Sequence, residues 1–111
     1  MPVGMEGRVG QRGFAVQVAG ESMARRRIYD GDFVWVNPDR GWRVGSIVLA
    51  RVDGYGMVVK EVALDGSGRT TLRGAGANGE NGKVNGREHV VIGPVVVVEP
   101  AAFATDEQPA L

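Results

Sequence analysis

The sequence predicts an all-β fold of several short, highly twisted antiparallel strands in one domain, and three observations carry that prediction. Eighteen glycines and five prolines punctuate its 111 residues. The segments between them are short and rich in β-branched and aromatic residues, which suit a pleated, half-buried surface. Only Ser22–Ile28 reads as helical, and only as one or two short turns.

The elements follow in order. Phe14-Ala15-Val16-Gln17-Val18 alternates and reads as the first strand. Phe33-Val34-Trp35-Val36 is the second, stopped by the turn sequence Asn37-Pro38-Asp39. Ser46–Val52 is the third, and Asp53-Gly54-Tyr55-Gly56 is a hairpin connection into a fourth over Met57–Leu64. Asp65-Gly66-Ser67-Gly68 then turns into a strand over Arg69–Arg73. Gly74–Gly86, rich in glycine and asparagine, is expected to be loop. Val90–Val98 supplies the closing strand, broken or bulged at Gly93-Pro94. Its apolar run exceeds what one edge of a small domain needs to bury, so a homodimer built around it is expected. A flexible N-terminal arm is expected over residues 1–12, the domain over 13–103 and a disordered tail over 104–111. No internal repeat is visible.

Composition narrows the function classes. Lys plus Arg and Asp plus Glu both number 13, so the formal net charge is zero and no general polyanion-binding surface is indicated. Direct nucleic-acid binding by this chain is therefore not expected. The chain has no cysteine, which removes disulfides, a thiol nucleophile and thiolate metal ligands. No cofactor and no metal are expected. Val90–Val98, interrupted by Gly93-Pro94, is too short to span a bilayer, and the N-terminus lacks a basic-then-apolar signal pattern. A soluble, cytoplasmic protein without a membrane partner is the expectation.

Two residues stand out chemically. Ser22 follows the first strand directly, in Val18-Ala19-Gly20-Glu21-Ser22-Met23. Lys60 ends the apolar run Met57-Val58-Val59, where a charged side chain is unexpected unless the fold uses it. Serine needs an adjacent base to act as a nucleophile. A lysine can be that base when burial disfavours its ammonium form, and Ser-Lys pairs are a known variant of the serine triad. The plainer readings are an N-cap serine for the Met23–Arg27 turn and a snorkelling strand lysine.

The residues around this pair resemble the LexA/UmuD family of serine peptidases, which includes the C-terminal domains of many phage repressors. The pieces are Gly20-Glu21-Ser22-Met23, Ile28-Tyr29-Asp30-Gly31-Asp32, Gly45-Ser46-Ile47-Val48 and Val58-Val59-Lys60, in the family's order. The match runs from about Phe14 to Val98 and blurs between Leu72 and His89. The resemblance implies a LexA/signal-peptidase-like β-fold and a catalytic pair in which Ser22 is the nucleophile and Lys60 the general base. Backbone N–H groups at a turn are unpaired and can hold an oxyanion, a role that falls to those of Ser22 and Met23. It also implies dimerisation, a protein or peptide substrate held by strand addition, and self-cleavage as in SOS-response repressors. That substrate is either the protein's own N-terminal extension or another chain. Two alternatives share the pattern. A signal-peptidase relative would need a membrane anchor and usually an arginine after the lysine, where this chain has Glu61. A non-catalytic dimerisation or regulatory module would keep the scaffold alone.

The remaining candidates read more plainly. Met23 is expected to pack beneath the site. Asp30-Gly31-Asp32 is expected to be a turn rather than a metal or acid-base pair. His89, the only histidine, is expected at the surface and not as a triad member. Arg25-Arg26-Arg27 is expected to be a solvated surface, with acidic-substrate steering as its functional alternative. Trp35 is expected to be partly core and Trp42 exposed. Only 21 residues precede Ser22, with no upstream Ala-Gly or Cys-Gly bond before the strand. Val3-Gly4 and Val9-Gly10 come nearest. That leaves a fragment, a stand-alone peptidase acting on another chain, or a domain that has lost self-cleavage.

Overall fold

The computed structural model describes residues 13–76 and 88–101 of the chain. The expected arm at 1–12, the tail at 104–111 and most of the Gly74–Gly86 loop lie outside these residues. Six strands are described: β1 (Phe14–Gln17), β2 (Phe33–Val36), β3 (Ile47–Val52), β4 (Gly56–Leu64), β5 (Thr70–Arg73) and β6 (His89–Glu99). They form one sheet in the order β1-β2-β6-β3-β4-β5, every pairing antiparallel. A single 3-10 turn, Ala24–Arg26, sits between β1 and β2, where the helical turn was predicted.

β3 explains how so small a chain builds a core. Val48, Ala50 and Val52 join Val62 and Leu72 in one cluster, while Leu49 joins Met23, Ile28, Val34 and Val36 in another. Alternation sends successive side chains to opposite faces, so β3 is buried on both. That is why it reads as a nearly continuous apolar run rather than an alternating one.

β6 is divided between two neighbours. It lies between β2 and β3, pairing with β3 through Val48↔Pro94 and with β2 through Val34↔Val98. No residue of β6 is shared by the two pairings: His89–Pro94 pairs with β3 and Val95–Glu99 with β2, so the strand passes from one neighbour to the other at Gly93-Pro94 and each half is paired along one side. Two of its apolar side chains, Val90 and Val97, are about half exposed, at 53% and 52%. The predicted irregularity at Gly93-Pro94 is present as register shifts opposite Leu49/Ala50 and Trp35/Val36. Gly93 is required because a Cβ there would lie 2.8 Å from Pro38 Cα and 2.9 Å from the Asn37 carbonyl oxygen. The Asn37-Pro38 turn thus rests directly on the bend of β6, and the Asn37 N–H donates to the Pro94 carbonyl at 3.1 Å.

Candidate active site

Ser22 is positioned by a loop held at its base. After β1, the Val18 N–H donates to the Asp32 carbonyl and the Gly31 N–H donates to the Val18 carbonyl, each at 2.8 Å. Gly20 then adopts φ +89°, a left-handed conformation that side-chain-bearing residues rarely take. Its N–H donates to Asp30 Oδ1 at 2.8 Å. Beyond Ser22 the 3-10 turn closes with Arg26 N–H to Met23 carbonyl and Arg27 N–H to Ala24 carbonyl bonds, both 2.9 Å. From the other side, the stretch after β5 clasps the loop: the Ala75 N–H donates to the Ser22 carbonyl and the Arg25 N–H to the Ala75 carbonyl.

This geometry bears on the capping reading of Ser22. Met23, not Ser22, occupies the N-cap position of the turn, with no side-chain cap bond. The hydroxyl is therefore not committed to capping. Among the described residues, the Ser22 and Met23 N–H groups make no hydrogen bond. Two adjacent donors at the start of a turn are what a developing oxyanion requires. Met23 itself is 1% exposed and packs into the second cluster, as predicted.

Lys60 lies on β4 directly opposite Val48 of β3. Strand alternation places it on the same face as Val58 and Val62, and only 5% of it is exposed. No carboxylate pairs with it among the described residues. Desolvation by burial therefore acts unopposed and lowers its pKa from the ordinary lysine value of 10.5. Ser22 and Lys60 line one cavity of about 290 Å³. The rest of its wall is mostly apolar: Val16 and Val18 at the β1 side, Leu49 of β3, and Met57 to Val59 of β4.

The other candidates are placed elsewhere or used structurally. Asp32 is buried, accepting the Tyr29 N–H on Oδ2 at 2.9 Å and the Ala101 N–H on Oδ1 at 2.8 Å. Together with the Asp30 bond to Gly20, this makes Asp30-Gly31-Asp32 a turn that anchors the nucleophile loop, and no metal cluster is present among the described residues. His89 pairs opposite Val52 and lines a different cavity with Asp53, Tyr55 and Glu88. It stands four residues along β3 from the Val48 row, about 13 Å by strand rise. Trp42 is exposed and Trp35 half-buried, as predicted.

The arginine run is exposed, as expected, and Arg26 also reaches a carboxylate from that surface. Arg26 Nη1 pairs with Glu61 Oε1 at 3.1 Å, and Arg73 Nη2 approaches Glu61 Oε2 at 3.6 Å. Sequence reasoning did not find Glu61, Ala75 or the Asp30–Gly20 contact as parts of the site. The alternation of β4 and β5, which sets Glu61 opposite Arg73, was the one signal available for Glu61.

A family model described as Peptidase S24-like matches residues 3–96 of the chain. No curated protein matches it. No helix among the described residues is long and apolar enough to cross a membrane.

Proposed function

Because the chain belongs to the S24-like peptidase family and carries its β scaffold, we propose that it is a serine peptidase working through a Ser22–Lys60 dyad. The observation that carries this reading is the shared cavity: the loop serine and a lysine only 5% exposed line the same mostly apolar space. Neutral Lys60 takes the proton of Ser22 Oγ as that oxygen attacks a peptide carbonyl carbon. The N–H groups of Ser22 and Met23 hold the resulting oxyanion. Collapse of the intermediate breaks the C–N bond, and the Lys60 ammonium returns the proton to the leaving amine. Water then hydrolyses the acyl-enzyme, with Lys60 again as base.

The substrate is a protein or peptide segment lying extended beside the strands that line the cavity, held by strand addition. It is either the chain's own N-terminal extension, cleaved as in LexA-like repressors, or a segment of another protein. A homodimer in the cytoplasm completes the reading, and the exposed Val90, Val96 and Val97 are the apolar surface available to it. The test is incubation of wild type, Ser22→Ala and Lys60→Ala proteins at neutral and alkaline pH, with and without candidate substrates, followed by mass spectrometry. New termini that appear with wild type and with neither variant support the dyad. Equal cleavage by Lys60→Ala points to a different base.

A further inference from the structure

We infer that Glu61 is a positioning residue that registers the Ser22 turn against the strand carrying Lys60. The inference rests on the Ser22–Lys60 reading and adds a part to it. Glu61 follows Lys60 directly on β4, so alternation turns its side chain to the opposite face of the strand. Its side chain is only 15% exposed, yet its two oxygens meet two arginines from different elements. Arg26 belongs to the 3-10 turn that begins immediately after Ser22-Met23. Arg73 ends β5, two residues before Ala75, whose N–H and carbonyl clasp Ser22 and Arg25.

These contacts close a ring. It runs from Glu61 to Arg26, through the turn to Arg25, across to Ala75, back along the chain to Arg73, and to Glu61 again. The ring ties three elements together: the turn with the nucleophile and the candidate oxyanion donors, the exit of β5, and the strand with the base. A surface ion pair contributes little to stability, so the value of this one lies in geometry. Displacement of a reacting group by about 1 Å can cost around a hundredfold in rate. Removing Glu61 opens the ring at both arginines, whereas removing Arg26 opens only the shorter contact.

The experiment uses a fluorophosphonate probe, which needs no knowledge of the natural substrate. Ser22 Oγ attacks phosphorus, fluoride leaves, and the hydroxyl proton passes to Lys60. Labelling rate is followed against pH in wild type, Glu61→Gln, Arg26→Met, Arg26→Lys and the Glu61→Gln/Arg26→Met double variant. Amide hydrogen exchange is read at Arg25 and Ala75. The expected result is a plateau rate lowered about tenfold in Glu61→Gln and Arg26→Met. The double variant should be no worse than Glu61→Gln. Arg26→Lys, which keeps the cation, should stay within about twofold of wild type. The pH midpoint should not move, because Lys60 remains buried, and exchange at Arg25 and Ala75 should quicken in Glu61→Gln.

A Glu61→Gln plateau equal to wild type, with wild type labelled at Ser22, overturns the positioning role and leaves the dyad standing. So does unchanged amide exchange. A midpoint that climbs toward the ordinary lysine value overturns it too, since Glu61 would then act by keeping the cavity dry. Wild type left unlabelled at Ser22 overturns both the dyad and the role assigned to Glu61.

Discussion

Gly93→Ala is the substitution whose cost follows most directly from the geometry. The added methyl would lie 2.8 Å from Pro38 Cα, 2.9 Å from Asn37 O and 3.1 Å from Asn37 C. Favourable carbon contacts begin near 3.5 Å, so the methyl and the turn must part by roughly 0.5 Å or more. The atoms in the way are backbone and cannot swing aside. Asn37 is further held by its N–H to the Pro94 carbonyl at 3.1 Å, and by the Arg40 N–H on its own carbonyl at 3.2 Å. Overpacking of this kind costs about 1–3 kcal/mol. Loss of unfolded-chain freedom on replacing glycine returns about 0.4–1 kcal/mol. The net expectation is a destabilisation of about 1–2 kcal/mol, or roughly 5–10 °C in Tm for a domain of this size. Urea denaturation followed by circular dichroism measures it, with the slope unchanged and the midpoint lowered. Gly41→Ala is the control, because nothing lies within 4 Å of its Cβ position. A Gly93→Ala protein as stable as wild type would show that the Asn37-Pro38 turn does not rest on β6 as described.

Other expectations follow from the same structure. Lys60→Met should stabilise the protein at neutral pH, because it removes a buried cation. The sign follows from the direction of the Lys60 shift: a depressed lysine penalises the fold fully below its folded pKa, and the penalty vanishes as pH rises past the unfolded value of 10.5. The advantage of the variant should therefore shrink across that window, by at most about 1.4 kcal/mol per pH unit; an advantage that grows with pH would contradict the burial argument. Light scattering at micromolar concentration should report a dimer mass, and Val97→Lys, at a position 52% exposed, should shift it toward the monomer without loss of fold. A strict monomer in wild type removes the dimer from the proposed function.

The strands were legible because their signal is local. Alternation in Phe14–Gln17 and the apolar run in Ile47–Val52 each report burial along one strand, and the intervening Asn-Pro and Asp-Gly pairs mark where it stops. The place of β6 was not legible. Its pairing partners lie 41 and 64 residues away, counted from Val91↔Ala50 and Val98↔Val34, and nothing in an apolar run says that its two halves pair with different strands. Ser22 and Lys60 were singled out by residue type in context and by the order of the surrounding motifs. Nothing in their spacing dictates a common cavity. Glu61 escaped notice for a related reason: a carboxylate beside a strand lysine looks like ordinary surface charge. Its partner Arg26, 35 residues earlier, is brought to it only by the turn after Ser22. Asp30 was read correctly as a turn residue, but its bond to Gly20 depends on the closure of the loop around it.

The central claim is that the neutral form of buried Lys60 activates Ser22. The rate of fluorophosphonate labelling as a function of pH, with the labelled residue identified by mass spectrometry, tests it most directly. Desolvation lowers the Lys60 pKa below 10.5, and only the neutral amine accepts a proton, so labelling should fall on Ser22 and rise with pH through that lowered value. Lys60→Ala should remove the rise and nearly all of the rate while the protein stays folded. A Ser22 labelling rate that is flat from mildly acidic to alkaline pH, or one that persists in Lys60→Ala, would contradict the account.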